Sequence, residues 1–217
     1  GQPTARCLIV VTPDGQRTMN TYLGAAGEIH NGDIDAALIA NAQVVYGEGY
    51  MWDLDCTKKA LRLAFAEAKK AGAKVAFTLS DVFCVERSRE DYLKMIEEDF
   101  DILFCNHEEA KALYPGKELE EILPLLQGKC DVIAVTCGSK GSVILTPNER
   151  VEVDAIWVTE VVDTTGAGDL YAAGFLYGYT QGLPLAECGR LGSACASDII
   201  AHLGARAQKS LRRLLAA

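Results

Sequence analysis

Apolar positions recur along this chain with two periods. From Asp55 to Ala71, Leu61, Ala64, Phe65 and Ala68 fall at helical spacing, and Gly72 follows where a helix of that register ends. Gln43 to Tyr46 and Lys74 to Leu79, on either side, are short β-rich runs. Beyond them the pattern predicts a helix over Arg89 to Glu98, a strand over Asp101 to Cys105, and helices over His107 to Leu113 and Leu119 to Leu126. A strand over Val132 to Thr136 follows, and Ser142 to Leu145 with Val151 to Val153 suggests antiparallel additions. The remainder reads as helical: Ala167 to Gln181, Leu185 to Leu203 and Leu211 to Leu215. At the other end, Arg6 to Val11, the turn Thr12-Pro13-Asp14-Gly15, and Gln16 to Leu23 read as strand, turn and strand.

Strands separated by helices predict an α/β fold, because parallel neighbours need a crossover and the helix supplies it. The expected architecture is a three-layer α/β/α sandwich around a mainly parallel sheet. No internal repeat, low-complexity segment or linker interrupts it, so residues 1–217 are expected to form a single domain. The sequence opens directly on a strand, without the leading βα units such sheets usually carry.

Composition narrows the partners. Lys and Arg total 21 against 30 Asp and Glu, a formal net charge of −9, and no basic cluster with interleaved aromatics breaks that balance. Nucleic acid is therefore not an expected partner. No apolar stretch approaches ~18 residues, so no membrane span is expected. The eight cysteines include no C-x-x-C pair and no histidine-rich segment accompanies them, which predicts free thiols in a reducing cytoplasm rather than a zinc site.

The densest chemistry lies in Asp163-Thr164-Thr165-Gly166-Ala167-Gly168-Asp169. It follows the apolar pair Val161-Val162 and opens a long helical pattern, so its small residues fall where a helix presents unpaired amides. Gly166, Ala167 and Gly168 would let backbone N–H groups approach an oxyanion, with the helix dipole adding attraction. Asp169, in the first turn, could accept a proton from an attacking hydroxyl, and the helix terminus is expected to keep it ionised. The plain alternative is an ordinary turn with a dipole-complementing acid. The length of the whole string favours the phosphate site.

At these residues the chain resembles the ribokinase/PfkB carbohydrate kinase family, whose signature ends in the same D-T-x-G-A-G-D run. The resemblance implies a ribokinase-like fold, ATP as co-substrate with Mg²⁺, Asp169 as catalytic base, and Gly166, Ala167 and Gly168 as the anion hole. Two further stretches match family motifs. Asn106-His107-Glu108-Glu109 fits N-x-x-E, which implies Asn106 beside the nucleotide and Glu109 holding magnesium through water. Thr136-Cys137-Gly138-Ser139-Lys140-Gly141 fits T-x-G-x-x-G, which places Thr136, Gly138 and Gly141 against the nucleotide, with Thr165 and Ser193 joining them; Thr165 serves equally to satisfy the turn backbone. By its residue type Asn106 serves equally as an N-cap, and Gly138 and Gly141 serve equally in a β-turn. All three motifs sit at strand ends in family order, where open α/β sheets bind ligands.

The strings Thr18 to Ala26, Gly47 to Asp53, Phe77 to Asp81 and Gly192 to Ser197 are similar to adenosine kinases within that family. They imply a nucleoside 5′-hydroxyl as acceptor, with ribose, fructose or another small sugar as the alternative. The family also carries a leading segment with a glycine-rich substrate motif, an acidic residue for sugar hydroxyls and part of a lid. This sequence does not display it, so it is expected to hold part of the family fold, with residues 6–26 as a lid-adjacent, poorly anchored hairpin. A monovalent cation requirement and a homodimer stay open. So does a non-catalytic, nucleotide-binding role.

Several residues have ordinary readings. Lys140 reads as a solvated loop lysine or a phosphate contact, and Arg87 as a surface ion pair before a phosphate contact. Trp52 and Tyr50 read as core packing before base stacking. His30, His107 and His202 show no triad or metal spacing.

Overall fold

Four largely apolar strands set the first part of the architecture: β3 (Val44–Glu48), β4 (Lys74–Thr78), β5 (Ile102–Asn106) and β6 (Val132–Thr136). They follow the hairpin strands β1 (Arg6–Val11) and β2 (Arg17–Tyr22) and precede β7 (Ser142–Leu145) and β8 (Arg150–Val153). The computed structural model describes residues 1–216. Its fold is α/β, with a mixed, mostly parallel sheet of six strands flanked by helices, as the sequence predicts. Contacts gather the described residues into two compact units, one of residues 1–6, 22–135 and 145–149, the other of residues 7–21, 136–144 and those from 150 onward.

In the first unit β3 pairs in parallel with β4, Val44 opposite Lys74, and β4 pairs in parallel with β5, Ala76 opposite Ile102. The intervening helices are α1 (Ala36–Ala40), α2 (Asp55–Ala71), α3 (Val82–Glu98), α4 (His107–Leu113) and α5 (Leu119–Leu126). Helix α2 buries Ala60, Leu61, Ala64, Phe65 and Ala68, the face its periodicity marks out, and ends at Gly72 in the left-handed conformation. Phe65 meets Phe77 and Phe100 edge-on at 6.3 and 5.9 Å, and Phe77 stacks on Phe100 at 4.5 Å, so the core is an aromatic cluster.

Helix α3 is longer than its sequence predicts. Ser88 has non-helical dihedrals, φ −129° and ψ 26°, which divide it into two segments. The predicted helix from Arg89 is the second. The first, capped by Asp81 accepting from the Phe83 N–H at 2.7 Å, has no clear apolar stripe and escapes a periodicity search. Arg87 takes its ordinary reading, with two hydrogen bonds to the Asp53 carboxylate. Trp52 is fully buried, donating its indole N–H to Asp91, and so is packed rather than free to stack.

The second unit contains the hairpin, β7, β8, α6 (Ala167–Thr180) and α7 (Leu185–Ile200). Strands β7 and β8 are neighbours joined by four residues, a span that only antiparallel strands can use. Helices α6 and α7 approach closely because Gly174 lies against the backbone of Leu191, where a Cβ would come within 2.5 Å of the carbonyl oxygen. The small residues after the G-A-G-D run thus serve helix packing. Helix α7 ends at Ile200, before the predicted Leu203.

The hairpin is better fixed than expected. Its turn closes with Thr12 N–H to Gln16 O at 2.8 Å, and the Gly15 carbonyl accepts from Thr164 Oγ1 at 3.1 Å. Arg17 Nη1 donates to the same hydroxyl at 2.9 Å. These bonds tie the turn to the signature loop, while Leu8 and Val10 remain exposed.

Candidate active site

A helix can present free amides only where its first turn lacks internal partners, and α6 does so at the signature loop. Gly166 is its N-cap, with φ +81°, a conformation L side chains avoid, and the space a Cβ would fill is taken by Ala205 at 3.1 Å. The Ala167 N–H turns back to the Thr164 carbonyl at 3.2 Å and the Leu170 N–H to Gly166 O at 2.9 Å. Between them, the N–H groups of Gly168 and Asp169 have no backbone partner among the described residues. Nothing lies within 4 Å of where a Gly168 Cβ would stand, so this edge is open.

The loop before the helix is held from beneath. Asp163, 3% exposed, accepts from Thr165 N–H at 2.9 Å, Thr165 Oγ1 at 2.5 Å and Gly204 N–H at 2.9 Å. Burial works to raise its pKa, but these bonds and the Arg17 charge outweigh it and hold the carboxyl below its ordinary value. Thr165 is correspondingly committed: its hydroxyl serves Asp163 within the turn, the second of the two uses its sequence position allows, and it is not among the residues lining the neighbouring cavity. Thr164 lines the cavity instead.

That cavity has a volume of about 570 Å³ and lies within the second unit. It brings together six expected residues: Thr136, Gly138, Gly141, Ala167, Gly168 and Ser193. Gly141 acts as a backbone device, because Val153 O stands 2.0 Å from where its Cβ would be, whereas the Cβ position of Gly138 is open. Tyr171 closes part of the wall, its hydroxyl donating to Ser142 Oγ at 2.8 Å and pushed up to about 12 by burial.

Asp169 stands in the first turn of α6, exposed over the residue as a whole while its carboxyl is partly shielded from water. Loss of hydration around its carboxyl raises its pKa, and the Arg17 guanidinium offsets part of that rise. The direction is opposite to the one a helix terminus alone would give, and it makes Asp169 a stronger base than an isolated carboxylate.

Asn106 and Glu109 belong to the first unit and are absent from the cavity wall. They form a reciprocal capping box: Asn106 Oδ1 accepts from Glu109 N–H at 2.8 Å, while the Glu109 oxygens accept from Asn106 N–H at 2.9 Å and Asn106 Nδ2 at 2.7 Å. Glu109 is 5% exposed with both oxygens engaged, and the described residues contain no group of three or more His, Cys, Asp or Glu able to hold a metal. The pair does not fit a direct Mg²⁺ site, and the N-cap reading of Asn106 is the one its bonds support.

Sequence reasoning missed Arg17, Asp163 and Trp157. Arg17 acts on a loop 147 residues away, which no local pattern announces. Asp163 was legible as part of the signature but not as its anchor. Trp157, in the loop after β8, lines the cavity.

The sequence pattern of the pfkB family carbohydrate kinases matches residues 1–211, and the chain belongs to that family. Among solved structures it is similar to a probable sugar kinase from Rhizobium etli CFN 42, with 46% identity and a TM-score of 0.96 over 99% of this chain and 65% of that one. It is equally similar to adenosine kinase from Sinorhizobium meliloti, with 46% identity and a TM-score of 0.96 over all of this chain and 68% of that one. A nucleoside kinase from Methanocaldococcus jannaschii is 38% identical over 118 residues, 54% of this chain and 38% of that relative. The match to this curated relative thus spans well under half of its length. Among the described residues no helix is long and apolar enough to cross a membrane.

Proposed function

We propose that this chain carries the donor and catalytic part of an ATP-dependent phosphotransferase whose acceptor is a hydroxyl of a small alcohol, first of all the 5′-hydroxyl of adenosine. The observation that carries the reading is a single cavity lined both by the first turn of α6, at Ala167 and Gly168, and by Thr136, Gly138, Gly141 and Ser193. Small residues and free amides at a helix start suit the oxyanions of a nucleoside triphosphate.

In the reaction the acceptor oxygen bonds to the γ-phosphorus, the bond from that phosphorus to the β,γ-bridging oxygen breaks, and ADP leaves. Asp169 takes the acceptor's proton. Because such transition states are loose, the Gly168 and Asp169 amides contribute by holding the transferring group in line, and Arg17 supplies a positive charge nearby. Magnesium bound with the donor would supply charge neutralisation, and no step here depends on a protein ligand to it.

Adenosine is preferred as acceptor on the similarity to adenosine and nucleoside kinases, and sugars follow on the equal similarity to a probable sugar kinase. All eight cysteines are free, which accords with a cytoplasmic protein. The test is calorimetric titration with ADP and with a non-hydrolysable ATP analogue, beside turnover assays with adenosine, ribose and fructose. Nucleotide binding with transfer to adenosine is expected. Binding without transfer to any acceptor would leave a nucleotide-binding module, and no binding at all would remove the kinase reading.

A further inference from the structure

Trp157 presents 79% of its surface to solvent, the largest exposed fraction among the large hydrophobic residues, and it does so on the wall of the cavity. A tryptophan buries 150–250 Å² when packed, so one left open beside a ligand-sized cavity is a surface waiting for a flat apolar partner. Its neighbours Ile156 and Val161, 41% and 38% exposed, line the same wall, as does Val158. Across the segment Ala155 to Val158 the indole N–H is the one side-chain hydrogen-bonding group.

We propose that Trp157 is the stacking platform for the nucleobase of the phosphoryl donor, which rests on the reading of this cavity as the donor site. The cavity joins two chemistries, small polar groups with helix amides and an apolar wall with one indole. A nucleoside triphosphate needs both within one molecule, and about 570 Å³ is a volume suited to a ligand of that size. A sugar would leave the apolar wall uncovered and adenosine would cover it; the wall is assigned to the donor because Ala167 and Gly168 at the start of α6 line the same cavity. With no carboxylate or carboxamide on that segment, the wall contacts the face of a base; Asp14 and Gln16, which line the same cavity, carry the groups that could reach its edge.

The experiment uses the full chain and its Trp157→Ala and Trp157→Phe variants, titrated with ADP, GDP and inorganic tripolyphosphate. Exposure of the side chain leaves folding intact, which thermal melting of the free variants checks. Expected are a loss of ADP and GDP affinity of about 5- to 100-fold in Trp157→Ala, the span of aromatic–base stacking, a smaller loss in Trp157→Phe, and no change for tripolyphosphate. The other tryptophan, Trp52, is fully buried, so protection of emission from acrylamide quenching by ADP reports Trp157 directly. Tight ADP binding that Trp157→Ala leaves untouched would overturn the inference and spare the kinase reading. An equal loss for tripolyphosphate would overturn it too, and failure of the unmodified chain to bind ADP would overturn both.

Discussion

Arg17 donates to the Thr164 hydroxyl at 2.9 Å, fastening the second strand of the hairpin to the loop that ends at Gly166. The same guanidinium lowers the pKa of both Asp163 and Asp169 through its charge. Removing it leaves Asp169 with its desolvation uncompensated, so that pKa moves further up. In Arg17→Ala the acid limb of kcat/KM is expected to shift to higher pH, with turnover lowered ~10-fold or more at pH 7. Arg17→Lys, which keeps the charge, should restore the position of the limb better than the rate. An unmoved limb in Arg17→Ala would separate the two residues.

Asp169 makes opposite demands on stability and chemistry. Its folded-state pKa is raised, so the folded protein holds the proton more tightly than the unfolded chain does. Stability is therefore lost as the pH rises from the unfolded value through the folded one, and at neutral pH the ionised carboxylate works against folding. Asp169→Asn should lower kcat by ~10²–10⁴, the range for losing a general base, while raising the melting temperature at pH 7. A fall in both would mean that the carboxylate supports the fold and would weaken its assignment as base.

Asp163 has the reverse sign. Its pKa is depressed, so its contribution is present above the ordinary carboxylate value of about 3.9 and disappears as the pH falls through the folded-state value. Asp163→Asn presents an amide donor to groups that are themselves donors, Thr165 and Gly204. A loss of roughly 1–3 kcal/mol at pH 7 is expected, with a flatter decline of stability in acid, both read from denaturant melts at several pH values.

Gly166 tests the loop geometry. An alanine there meets a left-handed conformation, costing ~1–2 kcal/mol, and Ala205 at 3.1 Å from its Cβ. Gly166→Ala should lower the melting temperature and weaken ADP binding together, because the strain is relieved only by moving the amides of the first turn. Gly168→Ala, with open space around its Cβ, should retain stability and lose nucleotide affinity alone.

What could be seen in advance follows from how local each cause is. Helix α2 was legible because Leu61, Ala64, Phe65 and Ala68 report one face within three turns, and the G-A-G-D run was legible because its glycines and acid act within a single turn. The break at Ser88 was not, since nothing about a serine between two arginines marks a change of dihedral. Thr164 and Thr165 are adjacent and chemically identical, so which one faces the cavity depends on the direction of the loop. Asn106 and Glu109 were ambiguous for a different reason: an N-cap and a ligand need the same side-chain oxygen, and only the observed bonds show which use it serves.

Those bonds make the last test a direct one. In the capping box Glu109 satisfies the Asn106 backbone N–H and side-chain amide while Asn106 satisfies the Glu109 N–H, all within 2.7–2.9 Å. Glu109→Ala opens the box and leaves the part-buried Asn106 donors without their partner, so a loss of about 1–2 kcal/mol is expected. Glu109→Gln retains the shape and one acceptor and should be nearly as stable as the parent. A capping role therefore predicts that kcat and its dependence on magnesium concentration survive in Glu109→Gln. A fall of more than about 100-fold in kcat in a variant that melts normally would show the carboxylate charge to be needed by the reaction, and the capping account of this residue would then be insufficient.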